Sequence, residues 1–255
     1  MDFWPKQISR AIELASTSDG VNELMVFYAH LLRAQSEVYE FLVSQRDWAP
    51  SGELEQDIPV FRSMFATILR TVEDAGPPPL VEQARSLKST EAIDEMLRDY
   101  WRAPSDTQFF AKAFLQPYAQ YVAQLHNQNA SSNERRCPAC DGKPQLSFLQ
   151  NHETTAESGN RDLMCANCLT VWPFRRVVCA NCGEEDPAKL AYFQTTTFNH
   201  VRIEACDTCK HYLKGVDLTR LGHAQPLVDE VAAAPLDLWA VEHGYTKIEL
   251  NLIGL

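Results

Sequence analysis

Apolar residues recur at helical spacing through the first half of the 255-residue chain. The clearest stretch covers residues 21–45, where an apolar side chain returns every three or four positions, as it does along one face of an α-helix. Its members are Val21, Leu24, Tyr28, Leu31, Leu32, Val38, Phe41 and Leu42. The pattern predicts an all-helical region of roughly five or six helices, whose apolar and aromatic stripes form its core.

Weaker periodicity and helix-end signals place the other helices of this region. Ser89 and the Ser105-Asp106 pair are residues typical of helix N-caps, whereas Gly76 and the three prolines that follow it cannot continue a helix. Pro117 would kink the last helix or begin a new one there. The predicted helices cover residues 3–18, 58–72, 89–101 and 105–126.

The pattern changes after a polar, aperiodic stretch at residues 127–134, which we interpret as a linker. Residues 226–231 are expected to form a turn or short helix, residues 235–244 a helix that ends at a glycine, and the tail from Tyr245 is irregular. Short apolar runs typical of β-strands lie at residues 146–150, 171–178, 190–195 and 201–204. The chain is therefore predicted to be an α+β protein.

All eight cysteines of the chain lie between residues 137 and 209, in four pairs of the form Cys-x-x-Cys. Two thiols separated by two residues can bind one ion from a tight turn, and two such turns make a closed tetrahedral site for a soft metal. Eight thiols therefore make two complete sites. The pairs are Cys137 and Cys140, Cys165 and Cys168, Cys179 and Cys182, and Cys206 and Cys209.

The gaps between the pairs predict which pairs share an ion. The first and second pairs are separated by 24 residues and the third and fourth by 23, whereas only 10 residues separate the second from the third. We interpret the segment as a tandem repeat of a turn, a hairpin and a second turn. Metal site 1 then comprises Cys137, Cys140, Cys165 and Cys168, and metal site 2 comprises Cys179, Cys182, Cys206 and Cys209. An interleaved pairing is the alternative.

Other roles for the paired cysteines fit less well. Disulfide-dense chains are usually small secreted domains without an adequate core, and a thioredoxin-type motif needs one Cys-x-x-Cys at a helix start in a βαβ unit. Each repeat is instead expected to be a small antiparallel ribbon whose folding energy the metal supplies. Zinc and mononuclear iron both accept four thiolates, so the metal's identity stays open. Ligation by His152, His200 or His211 is not expected, since each site already has four thiolates.

The chain is acidic, with a formal charge of −11 and an excess of acidic residues on both sides of residue 136. Nucleic-acid binding depends on Lys and Arg that neutralise phosphates, which disfavours a zinc-ribbon module of nucleic-acid machinery. No apolar run is long enough to span a bilayer, and the N-terminus lacks the basic and apolar regions of a signal peptide. Eight thiols without an export signal fit a reducing cytoplasm.

Two arginine pairs flank the cysteine turns. Arg135 and Arg136 lead directly into Cys137, and Arg175 and Arg176 lie between the two repeats. Each pair is either a solvated charge pair or a contact for carboxylates of a partner protein. No catalytic residue is predicted, since the sequence has no phosphate-binding glycine loop and no nucleophile in a recognisable motif, and four-thiolate sites offer no open metal position.

The four cysteine pairs and several short motifs around them resemble the formate dehydrogenase accessory protein FdhE family. The motifs are Cys179-Ala-Asn-Cys-Gly-Glu184, Tyr212-Leu-Lys214, Pro226-Leu-Val-Asp-Glu230, Leu236-Asp-Leu-Trp239 and Gly244-Tyr245. The resemblance covers most of the chain and is strongest from Cys137 onward. It implies a helical N-terminal domain followed by two rubredoxin-like, or zinc-ribbon-like, modules that bind iron or zinc through the eight cysteines.

The resemblance also implies a function. The protein would be a cytoplasmic accessory factor that binds the catalytic subunit of a respiratory formate dehydrogenase before export and is needed to make it active. A rubredoxin-like electron carrier with mononuclear iron is the alternative. The predicted domains are a helical domain (1–130), a first metal module (131–174), a second metal module (175–222), and a C-terminal helix and tail (223–255).

Overall fold

The protein is represented by a computed structural model, which describes residues 3–17, 20–105, 107–126, 135–151 and 160–255. The predicted linker at 127–134, the candidate cap Asp106 and His152 lie outside these residues. The chain divides into two compact units. The first comprises Met1–Gln128 with Leu252–Gly254, and the second comprises Asn129–Asn251 with Leu255. The finer division at residues 131, 175 and 223 stays a prediction.

The first unit is helical, as predicted. Within the described residues its helices are α1 (Phe3–Thr17), α2 (Asn22–Ser44), α3 (Leu54–Phe61), α4 (Phe65–Ala75), α5 (Pro78–Ser86), α6 (Thr90–Arg102) and α7 (Phe109–His126). Ser89 is the N-cap of α6, since its hydroxyl accepts a hydrogen bond from the N–H of Ala92. Pro117 lies inside a single helix. No helix in the described part of the chain has the length and apolar character of a membrane span.

Two predictions for this unit are wrong. The helix predicted over residues 58–72 is two helices, α3 and α4, separated by a short 3₁₀ segment at Arg62–Met64. Helix α5 was not predicted, because the prolines after Gly76 were taken only as a helix end. Pro78 and Pro79 instead occupy the first turn of α5, where a missing backbone N–H removes no intrahelical hydrogen bond.

Aromatic side chains of α3 and α7 lie at the core of the first unit. Phe61 stacks on Phe114 and Tyr118, with ring centroids 5.3 and 4.9 Å apart. The Tyr118 hydroxyl donates to Asp57, whose buried carboxylate also accepts from two backbone N–H groups of the loop before α3. Burial and this carboxylate raise the pKa of Tyr118. The tyrosine therefore stays a neutral donor that fixes the loop against the core.

The second unit is built on one mixed sheet. Within the described residues its strands are β1 (Pro144–Gln150), β2 (Asn160–Cys165), β3 (Val171–Phe174), β4 (Leu190–Gln194), β5 (Val201–Cys206), β6 (His211–Asp217) and β7 (Thr246–Lys247). They lie in the order β3-β2-β1-β6-β5-β4, with β7 paired to β6. The four predicted strands correspond to β1, β3, β4 and β5.

The two repeats are the two halves of this sheet. Strands β1–β3 form one antiparallel ribbon and β4–β6 form the other, as predicted for each repeat. The ribbons are joined, because β1 and β6 pair in parallel, with Leu146 opposite Lys214 and Leu149 opposite Asp217. This joint was not predicted, since pairing between strands so far apart in the chain leaves no local pattern.

Two short helices follow the sheet, α8 (Pro226–Ala232) and α9 (Ala234–Glu242), where the sequence indicates helical segments. Beneath them lies a cluster of buried charges. Lys214 and Lys247 both contact Glu230 and Asp237, and the four side chains are at most 4% exposed. Burial opposes ionisation of Glu230, but the two lysines lower its pKa to about 2. Mutual pairing therefore keeps the cluster charged and ties the C-terminal segment to the sheet.

Candidate metal centres

The four Cys-x-x-Cys pairs form closely similar tight turns. In the turns that begin at Cys137, Cys179 and Cys206, the carbonyl of the first cysteine accepts from the N–H of the residue after the second, at 2.8–3.0 Å. That residue has a left-handed backbone in all four turns: Asp141 (φ 56°), Leu169 (φ 58°), Gly183 (φ 81°) and Lys210 (φ 56°). Because this conformation is uncommon outside glycine, the turns impose it on three residues that rarely adopt it.

The turns bring the sulfur atoms of each predicted set together. Within each set of four cysteines, the Sγ atoms all lie within 4.8 Å of one another. Sulfurs that face each other from opposite turns are 3.5 and 3.4 Å apart in site 1. The corresponding separations in site 2 are both 3.7 Å. The clusters follow the order of the repeats, and not the interleaved alternative.

The donor set fits one tetrahedral ion in each site. A metal–sulfur bond of about 2.3 Å places the sulfurs of a regular tetrahedron about 3.8 Å apart. The eight cysteines, all among the described residues, carry free thiols. Burial raises the pKa of Cys179 to about 12, so a cation is needed to hold this sulfur as a thiolate. Zinc or iron would meet both requirements.

Backbone N–H groups support the sulfurs. In three turns the first sulfur accepts from the N–H two residues later, at 3.4 Å: Cys137 from Ala139, Cys165 from Asn167 and Cys179 from Asn181. Such bonds stabilise thiolates, and where iron is bound they help to set its reduction potential.

The two sites differ at the second residue after the first turn. In site 1 this residue is Gly142, where an added Cβ would lie 3.1 Å from the sulfur of Cys165 and 3.2 Å from that of Cys140. In site 2 it is Glu184, whose carboxylate accepts from the hydroxyl of Thr208 at 2.6 Å. This hydrogen bond lowers the pKa of Glu184 to about 2. Site 1 is thus closed by close packing, and site 2 by a polar contact between its two turns.

A buried ion network connects the strands that lead into the two sites. Arg161 on β2 donates to Glu204 on β5 at 2.6 Å, and also to the carbonyls of Arg175 and Val178 at 3.0 Å each. Glu204 also accepts from Arg202. Although burial opposes ionisation, the arginines lower the pKa of Glu204. The network holds the segment before Cys179 against the first repeat.

The predicted arginine pairs lie in different surroundings. Arg135 and Arg136 donate to backbone carbonyls of the first turn of site 2 and the first turn of site 1, at 3.0 and 3.4 Å respectively. Arg175 instead pairs with Glu185 at 2.9 Å. A role of either pair in partner binding stays a prediction.

The described histidines near the sites make other contacts. His200 Nε2 lies 2.8 Å from a carboxylate oxygen of Asp229, and His211 Nδ1 lies 2.7 Å from the carbonyl oxygen of Cys209. Neither ring nitrogen belongs to a cysteine cluster.

Several residues that support the sites were not predicted. The hydroxyl of Thr170 lies 3.1 Å from the sulfur of Cys168, and no sequence signal distinguishes it from other threonines. Arg161 and Glu204 did leave a signal. They are opposite charges in short strands that lead into cysteine turns, one in each repeat, and such charges are rarely buried unless paired.

The fold and these clusters define an α+β protein with a helical unit and a sheet unit that carries two four-cysteine sites able to bind metal ions. Residues 177–253 match the family model described as FdhE, C-terminal domain. An FdhE homolog of Aquifex aeolicus (strain VF5) is 30% identical over 253 residues, which cover 91% of this chain and 89% of that protein. The chain therefore belongs to the FdhE family.

Other relatives agree with this assignment. An FdhE homolog of Haemophilus ducreyi is 27% identical over 188 residues, which cover 72% of this chain but only 58% of that protein. The crystal structure of the FdhE protein from Pseudomonas aeruginosa has the same fold, with a TM-score of 0.72 at 22% identity. The match covers 98% of this chain and 95% of that one.

Proposed function

We propose that this chain is an accessory protein that acts in the cytoplasm, binds the catalytic subunit of a formate dehydrogenase and is needed to make that enzyme active. The observation that carries the proposal is its relation to an FdhE homolog over nearly its whole length, with both four-cysteine clusters formed. The choice of formate dehydrogenase as the client, that is, the protein that is bound and made active, is supported by the resemblance of the cysteine motifs to those of formate dehydrogenase accessory proteins.

The metal sites have a supporting role in this proposal. Each would hold one ion of zinc or iron through its four cysteines. Because four thiolates complete a tetrahedron, the ion leaves no open position for a substrate and contributes folding energy. The chain's own residues then form rigid turns that display Arg135, Arg136 and neighbouring side chains. This supports a binding protein in preference to an enzyme.

An electron carrier is the second candidate function. Backbone N–H groups donate to three of the cluster sulfurs, and Cys140 and Cys182 are exposed. Hydrogen bonds to sulfur and solvent exposure are features that tune the potential of thiolate-bound iron. This function requires iron at one site or both and a reversible change of its oxidation state.

The proposal is tested by capture of the client. Purified full-length protein is immobilised and exposed to the purified catalytic subunit of formate dehydrogenase, and the metal content of the same sample is measured. We expect specific capture by protein that holds two ions per chain, one for each cluster. An unrelated molybdenum enzyme of similar size serves as the negative control.

The same experiment separates the two candidates. Lack of capture by protein that contains redox-active iron would favour the electron carrier. Iron bound by four thiolates gives a red protein, whereas zinc gives a colourless one, so the metal is identified directly. In cells that lack the chain, formate dehydrogenase activity should be lost and should return with the wild-type chain.

A further inference from the structure

The sheet of the second unit ends in two edge strands, β3 and β4. None of the five residues of β4 is buried, whereas each of the other described strands buries at least one residue. Tyr192, at the centre of β4, is 49% exposed. An edge strand presents a row of backbone N–H and C=O groups to which another strand can pair. Strand β4 is therefore an accessible place for a further strand.

The register of β4 against β5 shows which of its backbone groups point outward. In an antiparallel pair, only alternate residues exchange hydrogen bonds with the partner strand. The N–H of Asp207 donates to the carbonyl of Lys189 at 2.9 Å. Two and four residues further along β4, Ala191 and Phe193 therefore bond to β5. Tyr192 lies between them and directs its N–H and C=O away from β5.

The neighbouring outward groups extend this row. The C=O of Leu190 and the N–H of Gln194, each two residues from Tyr192, point to the same side. The N–H of Leu190 is already bonded to the carbonyl of Pro187 in the turn before β4. Within the described residues, no strand pairs with this side of β4. The β4 edge, defined as these outward groups of residues 190–194, matches the spacing of an extended backbone.

The opposite edge of the sheet lacks a donor in the middle of its strand. The N–H of Cys165 donates to the carbonyl of Thr170 at 3.0 Å, so by the same alternation Pro173, opposite Asp162, turns its nitrogen away from β2. Proline and charged side chains are the usual protections of an edge strand. Residues 190–199 contain neither. One edge of the sheet is therefore protected, and the β4 edge is not.

Side chains beside the β4 edge provide apolar contacts. On one face, Phe193 packs on Trp239 of α9 with ring centroids 4.5 Å apart, and both residues are partly exposed. On the other face, the guanidinium of Arg202 lies 4.7 Å from the centre of the Tyr192 ring. Successive side chains of an added strand would point to these two faces in turn. Apolar or aromatic side chains suit the face of the Phe193–Trp239 pair.

We propose that the β4 edge binds an extended, uncharged segment of the client polypeptide as an added β-strand. The proposal rests on the function proposed above and adds the surface that recognises the client. Hydrogen bonds between main chains supply the affinity in this kind of recognition, and contacts with alternate side chains supply the specificity. A second copy of this chain is a less suitable occupant, because each copy has a formal charge of −11 and the two would repel each other.

The test compares two substitutions of one residue. Tyr192→Pro removes the outward N–H and leaves the bonds to β5 intact, because this N–H takes no part in them. Tyr192→Val removes the same ring but keeps the N–H, and it is the matched control. Both variants are made in the full-length, metal-loaded protein, and binding of the purified catalytic subunit of formate dehydrogenase is titrated.

We expect Tyr192→Pro to bind the catalytic subunit at least about tenfold more weakly than Tyr192→Val, since a carbonyl of the added strand loses its donor. Equal weakening by the two variants would overturn the proposal, because only the ring would then matter. Wild-type affinity in Tyr192→Pro would overturn it as well. Circular dichroism and metal content identify a misfolded variant, in which case Gln194→Pro and its control Gln194→Val are compared under the same criteria.

Hydrogen exchange of single amides gives a readout that reduced folding would not reproduce. In the complex, the amides of Tyr192 and Gln194 should exchange at least about tenfold more slowly than in the free protein. The amides of Ala191 and Phe193, which already bond to β5, should change much less. Uniform slowing of all four amides would indicate a covered surface without strand pairing, and no slowing would indicate no contact. Either result would overturn the proposal.

The remaining outcomes separate the proposal from the proposed function. If wild type captures no catalytic subunit, the proposed function fails and the proposal fails with it. If wild type and Tyr192→Pro capture the catalytic subunit equally, the function stands and the β4 edge is rejected. Slower exchange of the Tyr192 amide at high protein concentration without the client, together with a doubled mass by light scattering, would assign the edge to a second copy of the chain and overturn the proposal.

Discussion

The two metal sites share one turn geometry but differ in what encloses it. In site 1, Gly142 lets the backbone approach two sulfurs, and three of the four cysteines are buried. In site 2, Glu184 contacts Thr208 across the surface, and only two of the cysteines are buried. Two sets of four cysteines with the same turn geometry are therefore shielded from solvent in different ways. The turn determines which sulfurs are brought together, and we expect the surroundings to set how easily a bound ion leaves.

Metal removal should separate the two sites most clearly. A structural zinc ion contributes about 10–16 kcal/mol in zinc-finger peptides, so we expect the metal-free second unit to lose its near-ultraviolet circular dichroism. The helical unit should retain its far-ultraviolet helical signal. With a chelator in excess, site 2 should release its ion first because more of its sulfur is exposed. Release of both ions in one kinetic phase would contradict the expected difference in metal retention between the two sites.

Replacement of one cysteine ligand should reduce the stability of the protein more in site 1 than in site 2. Cys165→Ser and Cys182→Ser should each reduce the metal content from two ions to one. The Cys165 change should lower the melting temperature more, because Cys165 is 0% exposed and an unpaired hydroxyl there would be buried. Equal melting temperatures would show that burial does not distinguish the sites.

The ion network between the two ribbons should contribute more than a surface ion pair. Glu204→Gln leaves buried Arg161 without its charged partner, which should reduce the free energy of unfolding by about 3–5 kcal/mol. Glu185→Gln, which removes the exposed partner of Arg175, should cost less than about 1 kcal/mol. Denaturant unfolding of both variants measures the difference, and similar losses would rule out a special role for the network.

The close packing of site 1 can be tested with one methyl group. Gly142→Ala places a Cβ against two sulfurs, and we expect a loss of about 1–3 kcal/mol, as for other overpacked positions. The variant should also release the ion of site 1 faster under a chelator. Gly222→Ala, where an added Cβ meets only the carbonyl oxygen of Leu218 at 3.8 Å, controls for the loss of glycine itself. Metal release at the wild-type rate would contradict this account of site 1.

Loss of the polar contact between Thr208 and Glu184 should have the smallest effect on metal retention among the changes considered. Thr208→Val removes the hydroxyl that lowers the pKa of Glu184, so this pKa should rise from about 2 towards its usual value. The contact requires the ionised carboxylate of Glu184. Its contribution to stability is therefore fully present above the ordinary pKa of a glutamate side chain and is lost as the pH falls towards 2. Release from site 2 at neutral pH should be slightly faster in the variant, with site 1 unchanged.

Most parts of the structure that follow from short sequence intervals were predicted, and those that depend on distant residues were not. Cysteine spacing was enough to group the thiols as the structure groups them, because each turn is local and the hairpin lengths distinguish the pairs. The joint between β1 and β6 and the bond of Arg161 to Glu204 connect separate repeats. No periodicity within either repeat indicates them. In the helical unit, Pro78 was misinterpreted because proline both ends helices and begins them.

The parallel joint has a consequence for synthesis of the protein. Strand β6 pairs with the edge of β1 that β2 leaves open, and α8 packs on both β1 and β6. On the ribosome, the first ribbon and its four cysteines therefore emerge well before the segment that completes their sheet. Until then β1 is an open edge, which is a template for pairing with the wrong chain. A nascent chain of this protein therefore passes through an interval in which its first repeat exposes an unpaired strand edge.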